Sequence, residues 1–102
     1  MTTRVGVPND GEAVTVAPGG LLEIALPENA TTGYRWELDP LPAGAAVVGD
    51  RVEAPDTRAA GAAGLRVFAI RPGHGGTVSA RLRRSWETVE PVRTFSVRVR
   101  PR

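Results

Sequence analysis

Hydrophobic and polar positions alternate along this chain in short runs split by Gly, Pro, Asn and Asp clusters, which is the pattern of half-buried β-strands joined by tight turns. Val14 and Val16 flank Thr15 ahead of Pro18-Gly19-Gly20, a turn signal. Leu22, Ile24 and Leu26 then share one face, Glu23 points away, and Pro27 is expected to end the run. Tyr34, Trp36 and Leu38 alternate with Arg35 and Glu37, so Trp36 is expected in a core. From Leu65 to Arg71 both faces are apolar, with Leu65 and Val67 on one and Phe68 and Ile70 on the other. That suits a strand with neighbours on both sides. After the turn Pro72-Gly73-His74-Gly75-Gly76, Val78, Ala80 and Leu82 face one way and Ser79, Arg81 and Arg83 the other. Phe95, Val97 and Val99 form the last inward row, with Ser96, Arg98 and Arg100 outward. No stretch keeps a helical period, and the Ala-rich runs 43–46 and 59–63 each hold or adjoin Gly or Pro. About seven to eight short strands with turns roughly every ten residues predict an all-β, two-sheet sandwich. With no internal repeat or linker, residues 1–102 read as one domain.

Composition narrows the function classes. The chain has 102 residues, 41% of them hydrophobic and none of them Cys. A core of that size needs neither disulfide nor metal, and thiolate chemistry is excluded. The pI near 10.4 suggests a polyanion binder, but the net charge is only +2. All 13 basic residues are Arg and Tyr34 is the one tyrosine, so little titrates between neutral pH and the Arg range. The high pI reflects missing titratable groups. No apolar run is long enough for a transmembrane helix, and no membrane partner is expected. The N-terminus lacks a basic segment followed by an apolar one. As it stands the chain is expected to be cytoplasmic, or secreted or periplasmic if a precursor segment was removed.

Three segments between the strands carry the candidate chemistry. The first, 27–36, reads Pro-Glu-Asn-Ala-Thr-Thr-Gly-Tyr-Arg-Trp; the second, 58–64, reads Arg-Ala-Ala-Gly-Ala-Ala-Gly; the third, 83–88, begins Arg-Arg-Ser-Trp-Glu. Asn29 is expected to pin the first segment by side-chain–backbone bonds. Thr31 and Thr32 offer hydroxyls that bond their own backbone or reach a partner. Gly33 supplies a conformation that a Cβ would resist. Gly61-Ala62-Ala63-Gly64 is either an ordinary small-residue loop or one whose main chain approaches a partner closely. Arg84 pairs with an acidic rim or is a solvated strand end. Trp86 is a lid over the sandwich end or an exposed anchor.

In this order and spacing the segments resemble those of the chagasin family of cysteine-protease inhibitors, which carry an N-P-T-T-G-[YF]-x-W loop, a Gly-rich loop and an R-P-W loop. Asn29-Ala30-Thr31-Thr32-Gly33-Tyr34-Arg35-Trp36 is the specific match. Ala30, Ala63 and Ser85 depart from the family's Pro, Gly and Pro, which bears on affinity and target choice. The resemblance implies an immunoglobulin-like sandwich with the three loops at one end. It implies that the middle loop enters the catalytic centre of a papain-like cysteine protease while the others grip the cleft, reversibly and without covalent chemistry. It also makes Trp86 an anchor. The protease-binding set is then Asn29, Thr31, Thr32, Gly33, Gly61, Ala62, Ala63, Gly64, Arg84 and Trp86, with no cofactor and with a monomer as the working form.

Rival classes fare worse on the residues. The single His, His74, lies in a Gly-rich turn with no nucleophile motif beside it, so neither catalysis nor a metal site is expected. Arg81, Arg83, Arg84, Arg93, Arg98, Arg100 and Arg102 suggest a basic stripe, but Glu87, Glu90 and the modest net charge weaken it, and no nucleic-acid partner is expected. A non-inhibitory immunoglobulin-like protein-binding module remains the alternative, because fold alone does not fix function.

Overall fold

The structure is a computed structural model and describes residues 1–29, 32–54, 64–84 and 91–101. Its strands are β1 (Thr2–Gly6), β2 (Ala13–Val16), β3 (Leu21–Glu28), β4 (Tyr34–Leu38), β5 (Ala46–Glu53), β6 (Gly64–Arg71), β7 (Gly76–Arg84) and β8 (Arg93–Pro101), with a short 3-10 turn at Val7–Asn9. They form two four-stranded sheets, ordered β1-β3-β6-β5 and β2-β8-β7-β4. β1 runs parallel to β3 and β2 parallel to β8; the other pairings are antiparallel. The all-β sandwich expected from the alternation is the fold.

The inward rows meet as the pattern requires. Leu22, Ile24, Leu26, Phe68 and Ile70 from the first sheet pack on Trp36, Val78, Ala80, Phe95, Val97 and Val99 from the second. Each fully buried aliphatic side chain contributes about 1.5–3 kcal/mol, so these rows dominate what holds the sheets together. β6 lies between β3 and β5, which accounts for its two apolar faces. Phe68 and Ile70 enter the core, while Val67 is fully buried on the opposite face. That outer face carries an ionic lattice. Arg4 bonds Glu23 (3.0 Å) and Glu53 (2.8 Å), and Arg51, opposite Val67 in the register, bonds the same two carboxylates (3.0 and 2.8 Å).

Three features differ from the sequence expectation. β3 does not stop at Pro27: Pro27 pairs with Leu65 and Glu28 with Gly64. β1 ends at Gly6 opposite Ala25, so at Pro27 the strand has become an edge, where a missing N–H is tolerated. The other two differences are β1 and β5, strands that the alternation does not reveal. In β1 Val5 is the one buried side chain. β5 is an edge strand with exposed Val47, Val48 and Val52, and a bulge between Val47 and Gly49 breaks its period.

Candidate functional site

Strand register brings the bases of the three segments to one end of the sandwich. Glu28, which leads into the first segment, stands opposite Gly64, which closes the second. Tyr34, which leaves the first, stands opposite Arg84, which leads into the third. The turn holding His74 lies at the other end of β6 and β7.

The first segment is held by its own polar groups. The Thr32 hydroxyl donates to the Asn29 carbonyl (2.9 Å) and accepts from the Tyr34 N–H (3.2 Å). The Thr32 N–H donates to the same Asn29 carbonyl (3.2 Å). Of the two uses open to a threonine hydroxyl here, Thr32 takes the local one. Gly33 has φ +79°, a left-handed conformation costly for any residue with a Cβ, as its place in the motif requires. At the exit, the Trp36 indole N–H donates to the Pro27 carbonyl (2.8 Å) while its ring fills the core at 1% exposure. One tryptophan thus packs the interior and fastens the start of the segment to its end.

Arg84 ties the first segment to the third. It follows Val78, Ala80 and Leu82 on the inward row, and at the sandwich end its guanidinium lies over the Tyr34 ring, 4.5 Å from the centroid. Its Nε–H donates to the Thr32 carbonyl (3.3 Å). Such stacking is worth about 0.5–1 kcal/mol at exposed sites and more when desolvated. Neither reading of Arg84 from the sequence, rim charge or solvated strand end, included this link.

Gly64 belongs to a strand as the first residue of β6. A Cβ there would meet the Glu53 carbonyl oxygen at 2.7 Å, so glycine is needed for β5 to pass close by. Asn29, Thr32, Gly33, Gly64 and Arg84 thus come together at this end. Thr31, Gly61, Ala62, Ala63 and Trp86 lie outside the described residues.

Sequence reasoning missed two side chains beneath these segments. Glu28 is buried, and its Oε2 accepts the Trp36 backbone N–H (2.8 Å) and Arg66 Nη1 (3.2 Å). Arg66 also bonds Asp50 on β5 (Nη2 to Oδ2, 2.7 Å). The signal was available. Glu28 continues the row Leu22, Ile24, Leu26, and Arg66 continues the row Phe68, Ile70, so opposite charges stand in phase with two core rows.

Residues 15–99 match the model of the family described as Chagasin family peptidase inhibitor I42. Chagasin of Trypanosoma cruzi is 44% identical over 39 residues, a match spanning 38% of this chain and 36% of that protein. The crystal structure of a cysteine protease inhibitor from Entamoeba histolytica superposes with a TM-score of 0.85 at 23% identity, covering 99% of this chain and 96% of the other. The solution structure of amebosin does so with a TM-score of 0.72 at 27% identity, covering 97% and 96%. The last two establish likeness of fold; the family match covers most of the strands and all three segments. The chain belongs to the chagasin family of peptidase inhibitors.

Proposed function

We propose that this chain inhibits papain-like cysteine proteases reversibly and non-covalently, as a monomer without cofactor, by presenting segments 27–36, 58–64 and 83–88 to the active-site cleft. The observation that carries this reading is the pairing of Glu28 with Gly64 and of Tyr34 with Arg84, which gathers the bases of all three segments at one end. Family membership supplies the class of target. The mechanism needs no reactive group. The main chain around Gly61–Gly64 supplies backbone donors and acceptors to the cleft, as an extended peptide would, and Trp86 anchors one flank. Asn29, Thr31, Thr32 and Gly33 form the other flank, and Arg84 braces it.

The test is a titration of papain with the purified protein, following hydrolysis of a fluorogenic peptide. Wild type is run beside Trp86→Ala and Gly61→Glu, with circular dichroism to establish that all three fold. Tight inhibition by wild type is expected. Trp86→Ala should cost about 2 kcal/mol, roughly a thirtyfold rise in Ki, and Gly61→Glu should weaken inhibition by blocking close approach. Trypsin should be unaffected. A folded wild type that leaves papain-like proteases active would overturn the proposal in favour of a non-inhibitory binding module.

A further inference from the structure

Glu28 is the one charged residue that is buried among the described residues. A carboxylate so placed is tolerated only when paired and hydrogen-bonded, and its partners come from two different strands. β4 supplies the Trp36 N–H (2.8 Å), with Arg35 Nε at 3.9 Å, and β6 supplies Arg66 (3.2 Å). Arg66 lies over the Phe68 ring, 4.9 Å from its centroid, and passes the chain of contacts on to Asp50 of β5. One polar chain therefore runs β4–Glu28–Arg66–Asp50. The strands it joins are those that enter and leave the first segment (β3, β4) and the second (β5, β6).

We propose that Glu28 is a positioning residue for inhibition: through Arg66 its carboxylate sets the bases of the first and middle segments relative to each other, without touching the protease. This rests on the inhibitory reading above. Apolar residues at both positions would fill the same space with less desolvation, but hydrophobic contact is non-directional. Charge-assisted hydrogen bonds to a fixed N–H and a planar guanidinium specify direction. The pair lies where two segments from different strand pairs must be held in one arrangement.

The test compares wild type, Glu28→Gln and the double variant Glu28→Gln/Arg66→Met in two measurements. Hydrogen exchange on the free protein reads the amides of Asn29, Thr32 and Gly33 on one side, and of Ala54, Gly64 and Leu65 on the other. Inhibition of papain gives Ki and its on- and off-rates. Glu28→Gln should speed exchange in both groups and raise Ki about tenfold, mainly through the off-rate, a coupling ordinary for residues in contact. The double variant removes the guanidinium that Glu28→Gln leaves facing a neutral amide, and should regain melting temperature without regaining slow exchange or low Ki. If Glu28→Gln does not fold, the double variant carries the test. Recovery of Ki together with melting temperature, or faster exchange confined to the neighbourhood of Trp36, would overturn the proposal. A folded wild type that does not inhibit papain would remove the inhibitory reading, and exchange would still decide whether the two bases are coupled.

Discussion

The two ends of this sandwich are closed by different means. At the end away from the three segments, the turns among the described residues are closed by backbone–backbone bonds. Gly20 N–H bonds the Ala17 carbonyl (2.9 Å), Ala45 N–H that of Pro42 (3.1 Å) and Gly75 N–H that of Pro72 (3.0 Å). Positive φ at Gly19, Gly44, Gly73 and Gly75 makes those turns possible. At the segment end, Gly33 is the one described residue of positive φ, and side chains do the holding: Thr32 within the first segment, Arg84 across to the third, Trp36 and Glu28 beneath. Tight turns need only conformational freedom. Longer segments need anchors that reach them from the strands.

If the contrast is sound, damage to one end should separate stability from inhibition. The largest effect is expected for Trp36→Ala, which empties a core site and frees the Pro27 carbonyl; a loss of about 4 kcal/mol should appear in denaturant titration, with inhibition reduced as well. Gly73→Ala acts at the other end, where φ is +60° and a Cβ would meet the Gly44 carbonyl oxygen. It should cost about 2 kcal/mol yet leave Ki for papain unchanged in the folded fraction. A raised Ki for that variant would break the comparison. Thr32→Val keeps the shape and removes two hydroxyl bonds. About 1 kcal/mol of stability should be lost, with a clear loss of inhibition, the reverse of the Gly73→Ala balance.

The smallest effect concerns pH. Glu53, at the end of β5 that leads toward the middle segment, has its pKa lowered to about 2, first by its hydrogen bond to Arg4 and then by that to Arg51. A depressed carboxylate pKa stabilises the folded state above the unfolded pKa, about 4.3 for Glu. That contribution falls away as pH drops through the folded value. Glu53→Gln should therefore flatten the decline of melting temperature between roughly pH 4.5 and 2 and change little at neutral pH, where this exposed pair is screened. An unchanged acid limb would show that the lattice of Arg4, Arg51, Glu23 and Glu53 does not act at Glu53.

The legible and illegible parts of this protein divide along one physical line. Where a strand buries one face, period two writes its register into the sequence, and Leu22-Ile24-Leu26, Val78-Ala80-Leu82 and Phe95-Val97-Val99 are legible for that reason. Gly33 was legible because a left-handed φ restricts the residue itself. β1 and β5 were not, because an edge strand with one or no buried row leaves no period behind. Pairing between distant strands was also beyond the sequence. That Glu28 meets Gly64, that Arg84 covers Tyr34, and that Glu28, Arg66 and Asp50 form one chain depend on which strands become neighbours. By itself the sequence determined the alternating rows, the turns and the motif of the first segment, since each depends on local conformation or a local period. Only the tertiary structure decided what lies beneath the segments, because contacts between residues tens of positions apart exist only once the sheets have formed.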